Sequence, residues 1–257
     1  MSLAVRQHLE YRFNFFIDVV AQPCIAASIE MAIWFSLSQA MTREALGGFT
    51  TNDYLIYSLW GSFFARQMGS WSNDFSMAND IQHGTLNTTL TRPLSFFEYH
   101  FFQFFGHRML GLLVSLSIPA IASLWLRPDL DYSRLPVALC LGLGFLVFGF
   151  SLSFLIITMG FHLTRVHSLI FAKNISLWML TGEIFPLDLL PEHLARIAKV
   201  LPFASGVFLP VGYLTGRIGI GEVHNGMLGL AAGLCIIGIL CWRSWTIGIK
   251  RYSGVGA

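Results

Sequence analysis

Residues 136–160 contain no Asp, Glu, Lys, Arg or His. An apolar run of that length matches the roughly 20 residues a helix needs to cross a bilayer core about 30 Å thick. Lipid offers no partner to backbone N–H and C=O groups, so a helix that pairs them internally is what such a run folds into. The rest of the chain agrees. Hydrophobic residues make up 54% of the 257 and charged residues 12%, with mean hydropathy +0.62, against roughly 25% charged in a typical soluble domain. Too little charge is available to cover a water-facing surface, which excludes a disordered chain, a collagen-like fibre and an ordinary cytosolic enzyme. The net charge of +2, without a Lys or Arg run, supplies no basic stripe, so no nucleic-acid partner is expected. The expected fold class is all-α: a polytopic integral membrane protein whose single transmembrane domain covers 1–257.

Six stretches of spanning length stand between charged, Gly or Pro boundaries: 17–41, 52–71, 101–125, 136–160, 168–182 and 226–245. The first is long, lacks a small-residue cleavage site and follows a polar segment, so it reads as a span rather than a cleaved signal peptide. Before it, Leu9, Phe13, Phe16 and Val20 recur at helical spacing while Arg6, Gln7, Glu10 and Arg12 lie elsewhere around the turn. That pattern predicts an amphipathic interfacial helix over 1–16, the other reading being the first turns of span one. With the N-terminus in the cytoplasm, ten Lys and Arg fall on the inner side and six on the outer, which favours both termini inside the cell inner membrane.

Catalytic constellations are missing. The sequence has no GxxxxGK[ST], HExxH or GxSxG, so it supplies neither a nucleotide cradle nor a zinc or serine hydrolase centre. The eight histidines are scattered, and Cys24, Cys140, Cys235 and Cys241 sit in apolar stretches without CxxC spacing; they read as small core hydrophobes, with no metal site. Glu30, near the middle of span one, is an expensive charge in a bilayer. It marks a polar site for a cationic substrate or proton coupling, or is neutralised by a partner such as Arg66. Arg66, Arg108 and Lys173 lie nearer span ends and are expected to snorkel. Gly229 and Gly233 form a GxxxG that permits close helix packing.

Two connections are too long for turns. The inner one, 72–100, contains a polar stretch from Asp74 to His83 that predicts a short helix capped by Gly84. Leu86 and Leu90 then form an apolar edge expected to face the cytosol as a docking surface, and Phe96, Phe97, Tyr99, Phe101, Phe102, Phe104 and Phe105 an aromatic belt at re-entry. The outer one, 183–225, is apolar but broken by Pro186, Pro191, Pro202 and Pro210. It reads as re-entrant half-helices that dip in and return, forming an external gate, or as a loop resting on the outer leaflet.

In this order the elements resemble the membrane subunits of ATP-binding-cassette exporters of type two. The family's cytosolic coupling helix carries an acidic and an apolar residue, a gap, then Gly, Thr or Ser, Leu and later Pro. Asp80, Ile81, Gly84, Thr85, Leu86, Arg92 and Pro93 follow that order here, with Asp80 where Glu is more usual. The proline-marked region between spans five and six is matched by Phe185, Pro186, Leu190, Pro191, Leu201, Pro202 and Pro210. The resemblance implies an exporter permease that moves a small or amphipathic substrate. It implies a second permease, identical or paralogous, and a separate cytosolic ATPase docked on Asp80 to Leu90. ATP and Mg would sit on that ATPase, with no cofactor bound by this chain. The rival reading is an ion-gradient-driven secondary transporter that uses Glu30.

Overall fold

The computed structural model describes residues 12–40, 50–82, 86–87, 93–126, 130–163 and 166–252. The helices are α1 (Arg12–Phe16), α2 (Gln22–Ala40), α3 (Thr51–Met68), α4 (Trp71–Gln82), α5 (Phe96–Leu126), α6 (Leu135–Thr158), α7 (His167–Leu180), α8 (Glu192–Val200), α9 (Phe208–Leu214) and α10 (Ile220–Gly248). No strand occurs among the described residues. Residues 14–40, 96–126, 132–161 and 220–248 are long and apolar enough to cross a membrane.

The other two expected spans differ. Helix α3 has 18 residues, about 27 Å of rise, but its Asn52, Asp53, Arg66 and Gln67 lower its hydropathy, and neighbours bury it nearly throughout. Helix α7 has 14 residues, about 21 Å of rise, two thirds of a bilayer core. By length α7 falls short of a bilayer core on its own.

Helix starts follow local chemistry. Thr50 and Asp53 form a reciprocal capping box at α3: Asp53 N–H donates to Thr50 Oγ1 at 3.3 Å, and Thr50 N–H to Asp53 Oδ2 at 3.0 Å. Ser95 and Glu98 repeat it at α5, with the Ser95 N–H donating to Glu98 Oε2 at 2.9 Å and the Glu98 N–H to Ser95 Oγ at 3.2 Å. Each box satisfies donors that a helix start leaves open. The boundary expected between an interfacial helix and span one carries no break: α1 passes through a π-helical turn, Ile17–Ala21, straight into α2. Residues 1–11 of that expected helix lie outside the described ones.

The core gathers around α3, whose Tyr57, Trp60, Phe63 and Phe64 are all buried. Trp60 Nε1–H donates to Ser123 Oγ of α5 at 2.8 Å, keeping that indole satisfied. The aromatic run at the start of α5 packs inward instead of forming an interfacial belt. Phe96 stacks on Trp245 at 5.4 Å, Phe97 and Phe101 meet Phe150 edge-on, and only Phe102 among these four is mainly exposed. Outward faces remain apolar: Ile25, Ile29 and Ile33 of α2, and Leu228, Ile236, Ile239 and Trp242 of α10. In water these would be a liability; in a bilayer they are the solvated surface. Cys140 and Cys235 lie on this exposed surface, while Cys241 is buried. The expectation of four core thiols therefore holds for Cys241 and fails for the two exposed ones.

Candidate functional site

Helix α4 leaves α3 across Gly69 and Ser70 and lies beside α7. Trp71 and Phe75 meet Phe171 edge-on, with centroids 5.3 and 5.5 Å apart, and Phe75 stacks on His167 at 5.4 Å. Inside this seam is a buried charge network. Lys173 Nζ donates to Asp74 Oδ2 at 2.5 Å, Ser153 Oγ at 2.7 Å and Ser70 Oγ at 2.9 Å. Asn174 Nδ2 and Ser70 Oγ donate to the same Asp74 oxygen at 3.2 and 3.1 Å. Asp74 Oδ1 has no hydrogen-bond partner among the described residues. The ammonium and carboxylate are 3% and 1% exposed, so Lys173 does not snorkel; it pins α4 to α6 and α7.

Beyond that seam, Asp80 faces His100 at 3.2 Å, Ile81 is buried and Pro93 is exposed in the bend before α5. Leu86 is completely buried. The expected exposed leucine edge is therefore corrected at that position, because Leu86 fills the core beneath α4. Gly84, Thr85, Leu90 and Arg92 lie outside the described residues.

A second polar centre joins α2, α3 and α5. The Arg66 guanidinium is held by the Asp18 carboxylate, and its Nε–H donates to the Asp18 carbonyl at 3.2 Å. His107 Nε2 stands 3.6 Å from Asp18 Oδ2. Arg108 donates to the carbonyls of Gly69 and Arg66, the second at 3.2 Å, and so caps the carboxyl end of α3. Buried at this helix end, its charge meets the negative pole of the helix. Arg66 is thus the partner of Asp18, and the suggested neutralisation of Glu30 by Arg66 does not occur. Glu30 is half-buried on α2, with Ser62 beside it and Glu183 within electrostatic range.

These groups border a cavity of about 280 Å³. Asp18, Gln22, Ser62, Arg66 and Arg108 line one side, and Trp71, Trp178 and Glu183 the other. Glu183, three residues beyond the end of α7, lines the cavity within electrostatic range of Arg66.

The outer segment folds as two helices of 9 and 7 residues joined by 3-10 turns, each far too short to cross about 30 Å. Prolines mark its joints. Pro186 and Pro191 precede the turn Leu187–Leu189 and α8, Pro202 opens the turn Pro202–Ser205, and Pro210 is buried within α9. Phe185 packs against the stacked Trp34–Tyr54 pair.

An ion cluster that the sequence did not reveal holds the segment down. Asp188 accepts from Arg217 Nε–H at 2.8 Å and pairs with Lys199 Nζ at 2.8 Å, and Lys199 also donates to Glu222 at 2.8 Å. Burial works against the Lys199 ammonium, but its hydrogen bonds to Asp188 and Glu222 outweigh that and hold its pKa above the ordinary lysine value. The Arg217 guanidinium lies over the rings of Tyr54 and Tyr57 at 4.9 and 5.5 Å. The outer segment is also keyed to α10: Gly229 lies against the Val200 carbonyl and Gly233 against the Pro202 ring. The GxxxG therefore serves packing inside the chain.

Among the described residues, no group of three or more His, Cys, Asp or Glu is placed to hold a metal ion. The missed signals are distant pairs, Lys173 with Asp74 and Glu183 with the α3 cavity, which no local pattern announces. A comparison with curated proteins returns no significant match. The family model for the ABC-2 family transporter protein matches residues 25–256, which spans α2 to α10. The chain is a multi-pass membrane protein and belongs to the ABC-2 transporter family, as a permease subunit.

Proposed function

We propose that this chain is one permease half of an ATP-driven exporter. It works as a dimer of like or paired subunits in the cell inner membrane, with both termini cytoplasmic. In this reading α3 and α7 complete a set of six membrane helices, with help from their neighbours rather than from their own hydropathy. A separate cytosolic ATPase, carrying ATP and Mg, docks on the region that runs from Asp80 past Gly84, Thr85 and Leu90 to Arg92 and Pro93, with Ile81 and Leu86 buried beneath it. The substrate path runs along the interface between the two permeases.

The single observation that carries the reading is the buried Lys173–Asp74 pair within a transporter-family chain. A helix meant to convey force must be fastened to what it moves, and α4 is fastened to α6 and α7 by charge at its base. When the ATPase closes on nucleotide, displacement of α4 shifts α7, and through it the outer segment that begins where α7 ends. That segment, with Phe185, Pro186, Pro191, Pro202 and Pro210, acts as the external gate.

The test is Asp80→Lys, with Asp80→Asn as the control for the Asp80–His100 contact. The lysine variant is expected to insert normally and to lose its co-purifying ATPase through like-charge and desolvation costs at the contact. Undiminished ATPase recovery and transport in that variant would overturn the docking assignment. Absence of any ATPase companion from the intact protein would favour the gradient-driven reading and make Glu30 the residue to mutate next.

A further inference from the structure

The cavity at the carboxyl end of α3 contains one carboxylate, Glu183, that has Arg66 within electrostatic range but no hydrogen bond to a described residue. Arg66 is engaged through Nε and Nη2 by Asp18, and Arg108 through both Nη atoms by the carbonyls of Arg66 and Gly69. Glu183 makes no hydrogen bond or ion pair with any described residue, yet it lines both this cavity and a smaller one of about 30 Å³ beside it. A carboxylate withdrawn from water without a hydrogen bond is costly, and with Arg66 already held by Asp18 the site has room for a further counter-charge.

The neighbours of Glu183 narrow the choice. Trp71 and Trp178 line the same two cavities, their ring centroids 5.8 Å apart and their planes tilted by 43°. Indole faces are the strongest aromatic partners for organic cations, including those with no N–H to donate. Glu30 lies within electrostatic range of Glu183. An anion would find Arg66 already held by Asp18 and both Nη atoms of Arg108 turned to the Arg66 and Gly69 carbonyls, with the Arg108 Nε left unbonded among the described residues. The volume, about 280 Å³, is at the small end for ligand pockets, enough for a substituted ammonium group or the charged end of an amphiphile.

We infer that this cavity is the cargo site and binds an organic cation, an ammonium carrying apolar substituents, between the Glu183 carboxylate and the indoles of Trp71 and Trp178. The inference rests on the transport reading above for the word cargo, while the binding site stands on its own geometry.

The experiment is calorimetric titration of the purified full-length protein in lipid nanodiscs with benzyltrimethylammonium. Neopentylbenzene, its uncharged carbon isostere, and benzylphosphonate serve as comparison ligands. Wild type is expected to bind the ammonium and neither comparison ligand. Glu183→Gln should weaken binding by about tenfold or more, Trp178→Leu by about fivefold, and Glu192→Gln, on the exposed face of α8, should bind as wild type. Glu183→Gln removes an unpaired charge and should fold; if it does not, Trp178→Leu decides the matter by the same loss. Equal ammonium binding by wild type and Glu183→Gln, or equal binding of the isostere, would overturn the site. ATPase recovery is scored in the same preparations. Loss of ammonium binding in Glu183→Gln with no ATPase companion leaves the site standing and removes the exporter reading. An ATPase companion with Glu183-independent binding removes the site alone.

Discussion

Replacing Lys173 by Met isolates the energetics of the α4 anchorage. The change keeps the apolar stem and deletes the ammonium, leaving Asp74, 1% exposed, to accept only from Ser70 and Asn174. Breaking a buried pair from one side costs about 3–5 kcal/mol, because the surviving charge stays desolvated. The two remaining neutral donors put the expectation near the lower end, about 3 kcal/mol. For a chain of this size that corresponds to a fall of about 6–12 °C in the unfolding midpoint. The double variant Lys173→Met with Asp74→Leu removes both charges and refills the volume, and it should lie within about 1 kcal/mol of wild type. Its recovery relative to the single change is the coupling of the pair, read from a double-mutant cycle. Thermal unfolding in nanodiscs, followed by tryptophan fluorescence, is the assay. A double variant as destabilised as the sum of the two single ones would refute the argument, since the residues would then contribute independently of each other.

Two further outcomes test the outer segment. Gly229→Ala should cost about 1–3 kcal/mol because its Cβ would collide with the Val200 carbonyl, while Gly238→Ala, with nothing within 4 Å of its Cβ, should be neutral; equal unfolding midpoints for the two would remove the packing assigned to α8 and α10. Arg217→Met strips Asp188 of one of two cations and removes the guanidinium from the Tyr54 and Tyr57 rings. A loss of about 3 kcal/mol is expected, with faster proteolysis between α7 and α10, and an unchanged cleavage rate would show that the ion cluster does not hold the segment.

What the sequence revealed and what it hid follow one physical division. The span expected at 136–160 corresponds to α6, Leu135–Thr158, because burial in lipid needs only composition and length. The span expected at 226–245 is the middle of α10, which begins at Ile220; its first turns carry Glu222 and His224, and a hydropathy reading stops at the first polar turn although the helix does not. The start of α5 at Phe96 rather than 101 was legible, since Ser95-x-x-Glu98 is a capping-box spacing. Asp74 and Lys173 were not legible as partners. They lie 99 positions apart, and in one dimension a lysine near the end of an apolar run looks free to reach water. The cavity was equally hidden, because Asp18, Arg66, Trp178 and Glu183 meet only through the short α7 and the turn after it.

That turn passes through Gly182, whose φ of +82° an L side chain rarely adopts. Tyr57 Oη–H donates to its carbonyl at 2.7 Å, and Phe208 N–H donates to the Thr181 carbonyl at 2.9 Å. The segment from Leu187 to α10 is cross-braced by Asp188, Lys199, Glu222 and Gly229, whereas the chain path back to α7 runs through Gly182, with Glu183 next in line. Mechanically this is a stiff plate on a one-residue axle, with the cavity's unpaired carboxylate mounted on the axle itself. If the segment gates and the cavity binds a cation as proposed, rotation of the plate would re-aim that carboxylate, so access from outside and the grip on the cation would be two readings of one angle.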